Sequence, residues 1–258
     1  MNFIYRTWNL LFEKLYGFSL RQMNFGRASD YKSNGELHSL KQLARRWADK
    51  PVTLFDVGAN VGEFTLEILE AFRSRPFQLY VFEPSSKAWS KLKQRIPEAN
   101  NIHIVKSAMG HESGKADLFF PEEGSALGSL LQRDLAHMHV DFGNRETVAV
   151  TTLDSFCDQH GIDYIHLLKM DVEGNELNVL KGATGLLTRN AIEVIQFEFG
   201  GTNIDSRTYF KDFYQLLSSK YKIYRILPHG LRELPVYTEK LEIFQAANFL
   251  AISHRSHG

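Results

Sequence analysis

The pattern of apolar and polar positions becomes regular from about residue 51 onward. Short runs rich in β-branched and aromatic residues alternate with segments whose apolar residues recur at helical spacing. This alternation is typical of βαβ units, which build a parallel sheet with helices on both faces. It predicts one doubly wound, Rossmann-like α/β domain over residues 51–258, with a seven-stranded and mostly parallel sheet. The predicted strands are 52–57, 78–82, 102–106, 164–170, 193–199, 222–227 and 248–253.

Helical patterns fill the gaps between these strands, except in one region. Residues 115–150 contain "KADLFF" and "ETVAVTTL", which alternate apolar and polar positions on either side of a segment with glycine and serine. Such alternation predicts a β-hairpin inserted into the domain, where it would shape a substrate pocket at the carboxyl edge of the sheet. The predicted helices are 36–48, 62–72, 85–95, 153–159, 174–187 and 207–220.

The first fifty residues are predicted to form a helical arm outside the domain. Residues 1–20, "MNFIYRTWNLLFEKLYGFSL", carry a broad apolar stripe at helical spacing, but Arg6, Glu13 and Lys14 interrupt it. A signal peptide or a membrane-spanning helix would be uniformly apolar over a longer run. The stripe favours packing on the domain or on a second copy of the chain. Peripheral membrane contact is the alternative, weakened because few basic residues accompany the aromatic ones.

Composition and charge exclude several classes of protein. Thirty basic and thirty acidic side chains cancel, so no net field attracts nucleic acid or an acidic membrane. The single cysteine, Cys157, has no partner within the chain, and there is no CxxC motif or Cys/His cluster with metal spacing. These features predict a protein of a reducing compartment, the cytoplasm, that binds its partners through a shaped site.

The most informative segment is "FDVGANVGEFT", residues 55–65, which follows the first predicted strand. It begins like the Gly-x-Gly-x-x-Gly loop that binds a dinucleotide, but Asn60 and Glu63 stand where the second and third glycines belong. Asp56 is a carboxylate in an otherwise apolar strand and needs a cationic partner there. S-adenosylmethionine carries an ammonium and a sulfonium and has no phosphates. The segment therefore favours S-adenosylmethionine over NAD.

A second acidic residue supports a nucleoside site. Glu83 ends the strand in "LYVFEPSS", about 20 residues after the glycine loop, where an acidic side chain binds the two hydroxyls of a ribose. Within the loop, the glycines are expected to allow a tight turn under the ligand, and the polar side chains to reach its carboxylate and hydroxyls. Residues after the third strand are expected near the adenine. The predicted cofactor-binding residues are Asp56, Gly58, Ala59, Asn60, Gly62, Thr65, Glu83, Ser107 and Ala108.

These motifs together resemble the FkbM family of S-adenosylmethionine-dependent methyltransferases. The resemblance covers about residues 50–200 and is carried by "FDVGANVGEFT", "VFEPSS", "GSALGSL", "TTLDSF", "LLKMDVEGNELNVLKGA" and "VIQFEF". It implies the methyltransferase sheet, with the last strand antiparallel, and S-adenosylmethionine as cofactor. It also implies O-methylation of a hydroxyl on a sugar, glycolipid, polyketide or related metabolite. A family position expected near the cofactor matches Ser129.

Three carboxylates are the candidates for the chemistry, because a hydroxyl acceptor must lose its proton to become a good nucleophile. Asp171 and Glu173 follow the fourth strand and Glu198 lies at the end of the fifth, so topology brings all three to the ligand crevice. Asp171 and Glu173 are expected on one face if the strand continues. One of them would act as base and the other would bind ligand or acceptor. Lys169 is expected on the opposite face, in a structural ion pair.

Several alternatives remain open at this level. The three carboxylates could bind Mg²⁺ instead, although nothing else in the sequence demands a metal and we predict none. His137 and His139, in the insertion, are alternative bases. A cofactor-binding module or scaffold without catalysis is a different class of function. A nucleic-acid methyltransferase is disfavoured because no Asn/Asp-Pro-Pro-aromatic segment follows the fourth strand and the charge is neutral.

Overall fold

The computed structural model describes residues 3–27 and 30–257. The first two residues of the predicted arm, residues 28–29 within it, and residue 258 lie outside the described residues. The strands are β1 (Val52–Val57), β2 (Phe77–Phe82), β3 (Ile102–Val105), β4 (Ala108–Met109), β5 (Gly114–Phe120), β6 (Asn144–Thr151), β7 (Ile165–Met170), β8 (Ile192–Phe199), β9 (Tyr221–Leu227), β10 (Gly230–Glu233) and β11 (Ala247–Ser253). The helices are α1 (Phe3–Gln22), α2 (Glu36–Arg46), α3 (Glu63–Phe72), α4 (Ser86–Arg95), α5 (Leu153–His160), α6 (Glu176–Lys181), α7 (Thr184–Thr188), α8 (Thr202–Asp205) and α9 (Phe210–Leu217).

The main sheet has eight strands in the order β10-β9-β11-β8-β7-β1-β2-β3. Strands β8, β7, β1, β2 and β3 run parallel, whereas β11 is antiparallel to both of its neighbours. The predicted α/β class and the antiparallel last strand are therefore confirmed. The prediction of seven strands misses β10. Its sequence, "GLRE", is short and mostly exposed, so it has no apolar pattern to detect.

Helices cover both faces of the sheet, as a doubly wound fold requires. On one face, residues of α2, α3 and α4, such as Leu40, Ile68 and Leu92, pack on the sheet. On the other face, α5, α6 and α9 contribute Phe156, Leu180 and others to a second core. Strand order reverses at β1, with β2 on one side and β7 on the other. This is the switch point where ligands bind at the carboxyl ends of parallel strands.

The inserted hairpin is present and is formed by β5 and β6. Together with β4 these strands make a separate three-stranded sheet. Its small core contains Ala108, Leu118, Phe120 and Val148. The segment between the two strands returns to the carboxyl edge of the main sheet, where several of its residues line the cavities described below.

Two predicted helices are shorter than their sequence patterns suggest. The predicted helix 174–187 is split into α6 and α7 at Gly182, where a Cβ would lie 2.1 Å from the carbonyl oxygen of Gly110. The predicted helix 207–220 is reduced to α9, because Arg207 has a φ of 52° and Tyr209 is extended. In both places a close approach or a non-helical backbone interrupts an apolar periodicity that is continuous in the sequence.

From Trp8 to Phe18, helix α1 leaves its large apolar side chains exposed. Trp8, Phe12 and Tyr16 are 55%, 59% and 61% exposed, and the segment that contains α1 enters the core at Leu20 and Phe25. Packing of α1 on the domain, one of the two arrangements that the sequence favours, is therefore limited to the end of that helix, whereas α2, in the rest of the predicted arm, packs on the sheet. Within residues 3–27 and 30–257, no helix has the length and apolar character needed to cross a bilayer.

Candidate active site

Two adjacent cavities lie at the carboxyl ends of the central strands. The first has a volume of about 580 Å³ and the second of about 1680 Å³. Both volumes include space open to solvent, and the second cavity is the larger of the two. Their common wall joins the glycine loop, the insertion and the end of β7. The residues that line both are Gly58, Asn60, Ala126, Asp171 and Glu173.

The glycine loop approaches the end of β7 more closely than a side chain would allow. Gly58 has a φ of +81°, and a Cβ there would lie 1.8 Å from the carbonyl oxygen of Asp171. Only glycine adopts this conformation without strain and tolerates this contact. Asn60 follows with a φ of 49°, and its buried Oδ1 has no hydrogen-bond partner. Gly58 and Asn60 line both cavities, and Asn60 carries a buried amide oxygen without a hydrogen-bond partner.

Glu83 lies in the wall of the first cavity and is 6% exposed. Its carboxylate accepts hydrogen bonds from the backbone N–H groups of Asn60 (2.8 Å) and Ser85 (2.9 Å). Burial raises the pKa of Glu83 to about 7, although these two bonds act in the opposite direction. Each oxygen keeps a lone pair for a further donor. The arrangement can therefore accept two more hydrogen bonds, as a ribose diol would require.

Asp56 has a cationic partner within the protein, so the expectation that a ligand supplies it is wrong. The side chain is fully buried; Thr65 Oγ1 donates to its Oδ2 (2.7 Å) and Lys169 Nζ lies 3.4 Å from its Oδ1. Asp56 and Lys169 are register partners on adjacent parallel strands, which places their side chains on one face. Neither Asp56 nor Thr65 is part of the wall of either cavity. The two residues flank the glycine loop in the chain, and the hydrogen bond between them fixes the two ends of the loop.

Lys169 lies on the same face as Asp171, not on the opposite one. Its Nζ is 3.5 Å from Asp171 Oδ2, and Asp171 is the first residue after the end of β7. Burial lowers the pKa of Lys169, but the carboxylates of Asp56 and Asp171 outweigh burial and raise it above its ordinary value. The lysine is therefore charged and joins the buried Asp56 to the cavity wall at Asp171.

Replacement of Thr65 by valine tests this structural role. The variant removes the hydroxyl donor of the buried Asp56, so we expect the free energy of unfolding to fall by about 1–3 kcal/mol. The affinity of the folded variant for S-adenosylmethionine should equal that of the wild-type protein. Chemical denaturation measures the first quantity and calorimetric titration the second. Thr53→Val, on β1, is the matched control, since its hydroxyl has no comparable role. A large loss of affinity with unchanged stability would restore Thr65 as a ligand contact.

Of the remaining residues predicted to bind the cofactor, three line a cavity and Gly62 does not. Ser107 and Ala108 line the first cavity, and Ala59 lines the second. Gly62 instead packs beneath Leu92 and Ile96.

Ser129 does not face either cavity. Its Oγ donates to the carbonyl oxygen of Glu173 (2.8 Å) and accepts from the N–H of Leu131 (3.1 Å). The family position that suggested a cofactor contact therefore holds the turn that carries Glu173. Neighbours of Ser129, Gly128 and Leu130, line the first cavity instead.

Asp171 and Glu173 both reach the common wall, but not through a continued strand. β7 ends at Met170, and Glu173 has a φ of 52°. An unpredicted residue of the insertion, Arg133, holds this turn: its Nη1 is 2.8 Å from Glu173 Oε2 and its Nε is 3.2 Å from Asp205 Oδ2. Asp171 is half exposed at the junction of the two cavities.

Two of the carboxyl groups have raised pKa values, as groups that transfer protons at active sites often do. Burial raises the pKa of Glu173 to about 8, with Asp171 adding to the shift and Arg133 opposing it. Burial also raises the pKa of Glu198 well above its usual range, and Asp171 and Glu173 add to this shift. Glu198 lines the second cavity, and no side chain of the described residues donates a hydrogen bond to it.

Glu36 is a site residue that the sequence does not reveal. It begins α2, lines the second cavity and accepts hydrogen bonds from the side chains of Asn34 (2.6 Å), Gln196 (2.7 Å) and Asn248 (2.8 Å). Burial raises its pKa to about 7. In the sequence it is an ordinary acidic residue in the first turn of a helix. Only the convergence of α2 with β8 and β11 brings it to the site.

The two histidines considered as alternative bases do not reach the site. His137 and His139 are in the insertion but line neither of the two cavities. Over residues 3–27 and 30–257, no group of three or more His, Cys, Asp or Glu side chains is arranged to hold a metal ion.

Comparison with known proteins gives one family match, two related proteins and one similar solved structure. The family model described as Methyltransferase FkbM domain matches residues 56–226. The 2-O-methyltransferase NoeI of Sinorhizobium fredii is 26% identical over 199 residues, which are 65% of this chain and 79% of that protein. The hexuronic acid methyltransferase AglP of Haloferax volcanii is 24% identical over 154 residues, 59% of each chain. A crystal structure of an FkbM methyltransferase from Methylobacillus flagellatus is 16% identical with a TM-score of 0.46, over 82% of this chain and 47% of that one.

Proposed function

Because the chain belongs to the FkbM methyltransferase family, we propose that it transfers a methyl group from S-adenosylmethionine to a hydroxyl of a sugar or glycan-linked metabolite. The observation that carries this proposal is the pair of cavities that share Asn60, Asp171 and Glu173. One has the features of a nucleoside site and the other is lined by carboxyl groups. A 2-O-methyltransferase and a hexuronic acid methyltransferase among the relatives support a sugar hydroxyl as acceptor.

The residues of the first cavity fit the proposed cofactor. Glu83 has free lone pairs for two ribose hydroxyls, and the unpartnered Oδ1 of Asn60 is an acceptor for an ammonium group. Gly58 leaves the space that a side chain would fill. When bound, S-adenosylmethionine supplies a methyl group on a sulfonium sulfur. The proposed contacts are Gly58, Asn60, Glu83, Ser107 and Ala108 in the first cavity and Ala59 in the adjacent wall of the second. Asp56, Gly62, Thr65 and Ser129 shape the loops that carry them.

Proton transfer is assigned to the second cavity. Glu198 is proposed to take the proton of the acceptor hydroxyl on a carboxylate oxygen, since its pKa is raised and no described side chain occupies it. Asp171 and Glu173, at the common wall, are proposed to hold the acceptor hydroxyl in place. Arg133 fixes Glu173 through the 2.8 Å ion pair. Holding the two reactants in line supplies much of the rate of such a transfer.

A cofactor-binding or scaffold protein without catalysis is the second candidate. It is disfavoured because carboxyl groups with raised pKa values, which cost stability, converge on the cavity next to the nucleoside site.

We also propose a partner for the N-terminal arm and a location for the protein. The exposed apolar side chains of α1 support contact with a second copy of the chain, and a cytoplasmic location rests on the single cysteine.

The test is methyl transfer from labelled S-adenosylmethionine to a panel of alkyl glycosides. We expect the label in an O-methyl ether of at least one glycoside, with S-adenosylhomocysteine released in equal amount. S-adenosylhomocysteine added at the start should inhibit the reaction. If the protein binds S-adenosylmethionine but transfers no methyl group to any hydroxyl acceptor, the scaffold function is favoured. If it binds NAD and not S-adenosylmethionine, the assignment of the first cavity is overturned.

A further inference from the structure

The second cavity is lined by more acidic than basic side chains. Carboxyl groups predominate in its wall, and basic groups are few. The carboxyl groups are those of Glu36, Glu63, Asp171, Glu173 and Glu198, and the basic groups among the described residues are those of Arg133 and Lys169.

Both basic groups are already occupied by carboxylates. Arg133 is ion-paired with Glu173 (2.8 Å) and with Asp205 (3.2 Å), and its side chain is 9% exposed. Lys169 lies between Asp56 (3.4 Å) and Asp171 (3.5 Å), with Nζ 5.2 Å from the centre of the Phe64 ring. An anionic ligand would have to share one of these cations with the carboxylates that already neutralise its charge, or draw it away from them. Drawing Lys169 away would leave the fully buried Asp56 without a cation, which is strongly unfavourable.

The carboxyl groups themselves show how the cavity treats negative charge. Burial raises the pKa values of Glu36, Glu173 and Glu198, and neighbouring carboxylates add to each shift. Glu63 is at the rim, where Arg95 lies 3.7 Å away. A carboxylate brought in by a ligand would meet the same burial and the same neighbours, and would be disfavoured for the same two reasons.

The cavity offers a neutral or cationic sugar a more suitable surface. Tyr31, Phe64 and Phe244 line it, and aromatic faces pack well against the C–H groups of a sugar ring. Carboxylates accept hydrogen bonds from hydroxyl or ammonium groups without loss of charge pairing. Asn60 and Gln245 add amide groups to the wall.

We propose that the acceptor is a sugar without an anionic group near the reacting hydroxyl, a neutral or amino-bearing sugar and not a uronic acid. The inference rests on the proposed function and narrows its substrate class. It separates this chain from the hexuronic acid methyltransferase to which it is similar.

The test uses matched acceptors in the gluco, galacto and manno series. In each series the octyl glycoside, the octyl uronide and the octyl uronamide are compared; the amide is neutral and close in size to the carboxylate. We expect kcat/KM for the uronide to be at least ~100-fold below that for the uronamide, a difference of about 2.7 kcal/mol. A uronide that reacts as well as its amide overturns the inference and leaves the proposed function standing. No transfer to any member of the panel overturns the proposed function, and the inference with it.

A charge added to the wall gives an independent readout. Gln245 is exposed and lines the second cavity, so Gln245→Arg should fold normally and place a cation there. We expect the ratio of kcat/KM for uronide to uronamide to rise about 10-fold, or about 1.4 kcal/mol. Gln94→Arg, exposed on α4 away from both cavities, is the matched control and should leave the ratio unchanged. An unchanged ratio in Gln245→Arg contradicts the electrostatic basis of the inference.

Discussion

Replacement of Glu198 by glutamine is expected to lower kcat by about 100-fold or more, the usual contribution of a general base. Glutamine keeps the size of the side chain but cannot take up a proton. Cofactor affinity should not change, because Glu198 does not line the first cavity. Single-turnover methyl transfer at saturating cofactor measures the rate, and calorimetric titration the affinity. Glu98→Gln, at an exposed position, is the matched control.

The pH dependence of the rate should change in the same variant. Burial and the neighbouring Asp171 and Glu173 raise the pKa of Glu198. Below the raised pKa the carboxyl is protonated and cannot act as a base; above it the carboxylate is available. The rate of the wild-type protein should therefore rise as the pH passes through the raised pKa of Glu198, and Glu198→Gln should lose that rise. An unchanged rate and profile would move the base to Glu173 or Asp171.

Replacement of Glu83 by alanine is expected to weaken S-adenosylmethionine binding by about 100-fold or more. Hydrogen bonds to a charged group contribute about 1.5–3 kcal/mol each, and two ribose hydroxyls would be lost together. The backbone N–H groups of Asn60 and Ser85 would also lose their acceptor, which loosens the glycine loop. Calorimetric titration measures the affinity, and thermal unfolding shows whether the variant is folded. Affinity equal to that of the wild-type protein would place the ribose elsewhere.

Glu83→Gln separates charge from shape in the same experiment. Its side chain keeps one acceptor oxygen, so the loss of affinity should be smaller than in Glu83→Ala. The pKa of the wild-type carboxyl is raised to about 7, so the carboxylate takes up a proton as the pH falls below that value. Wild-type affinity should then decrease, by at most about tenfold per pH unit, and Glu83→Gln should not share this decrease. Equal pH dependence in both proteins would contradict the role of the Glu83 charge.

Local sequence patterns were sufficient for the framework of the site. The apolar runs and the helical spacing predict the order of strands, and this order puts the glycine loop, Glu83 and Asp171 at one edge of the sheet. Those residues can be predicted because each follows directly on a strand, and the carboxyl ends of parallel strands meet at the switch point. The antiparallel last strand came from the family resemblance, which the structure confirms.

Contacts between distant parts of the chain could not be predicted in this way. The cation beside Asp56 was assigned to the ligand, but strand register supplies Lys169 of β7. Arg133 comes from the insertion and Glu36 from α2, and neither segment carries a pattern that shows which strand end it will face.

The sequence by itself determined the class of fold and the position of the glycine loop, Glu83 and Asp171 at one edge of the sheet, because these depend on local periodicity and on residues adjacent in the chain. Tertiary structure alone decided which charges are already paired and which remain for a ligand. Side-chain pairing across strands and loops depends on register and packing, and these are properties of the whole folded chain. The character of the second cavity, rich in carboxyl groups and with both of its described cations occupied, follows from that pairing.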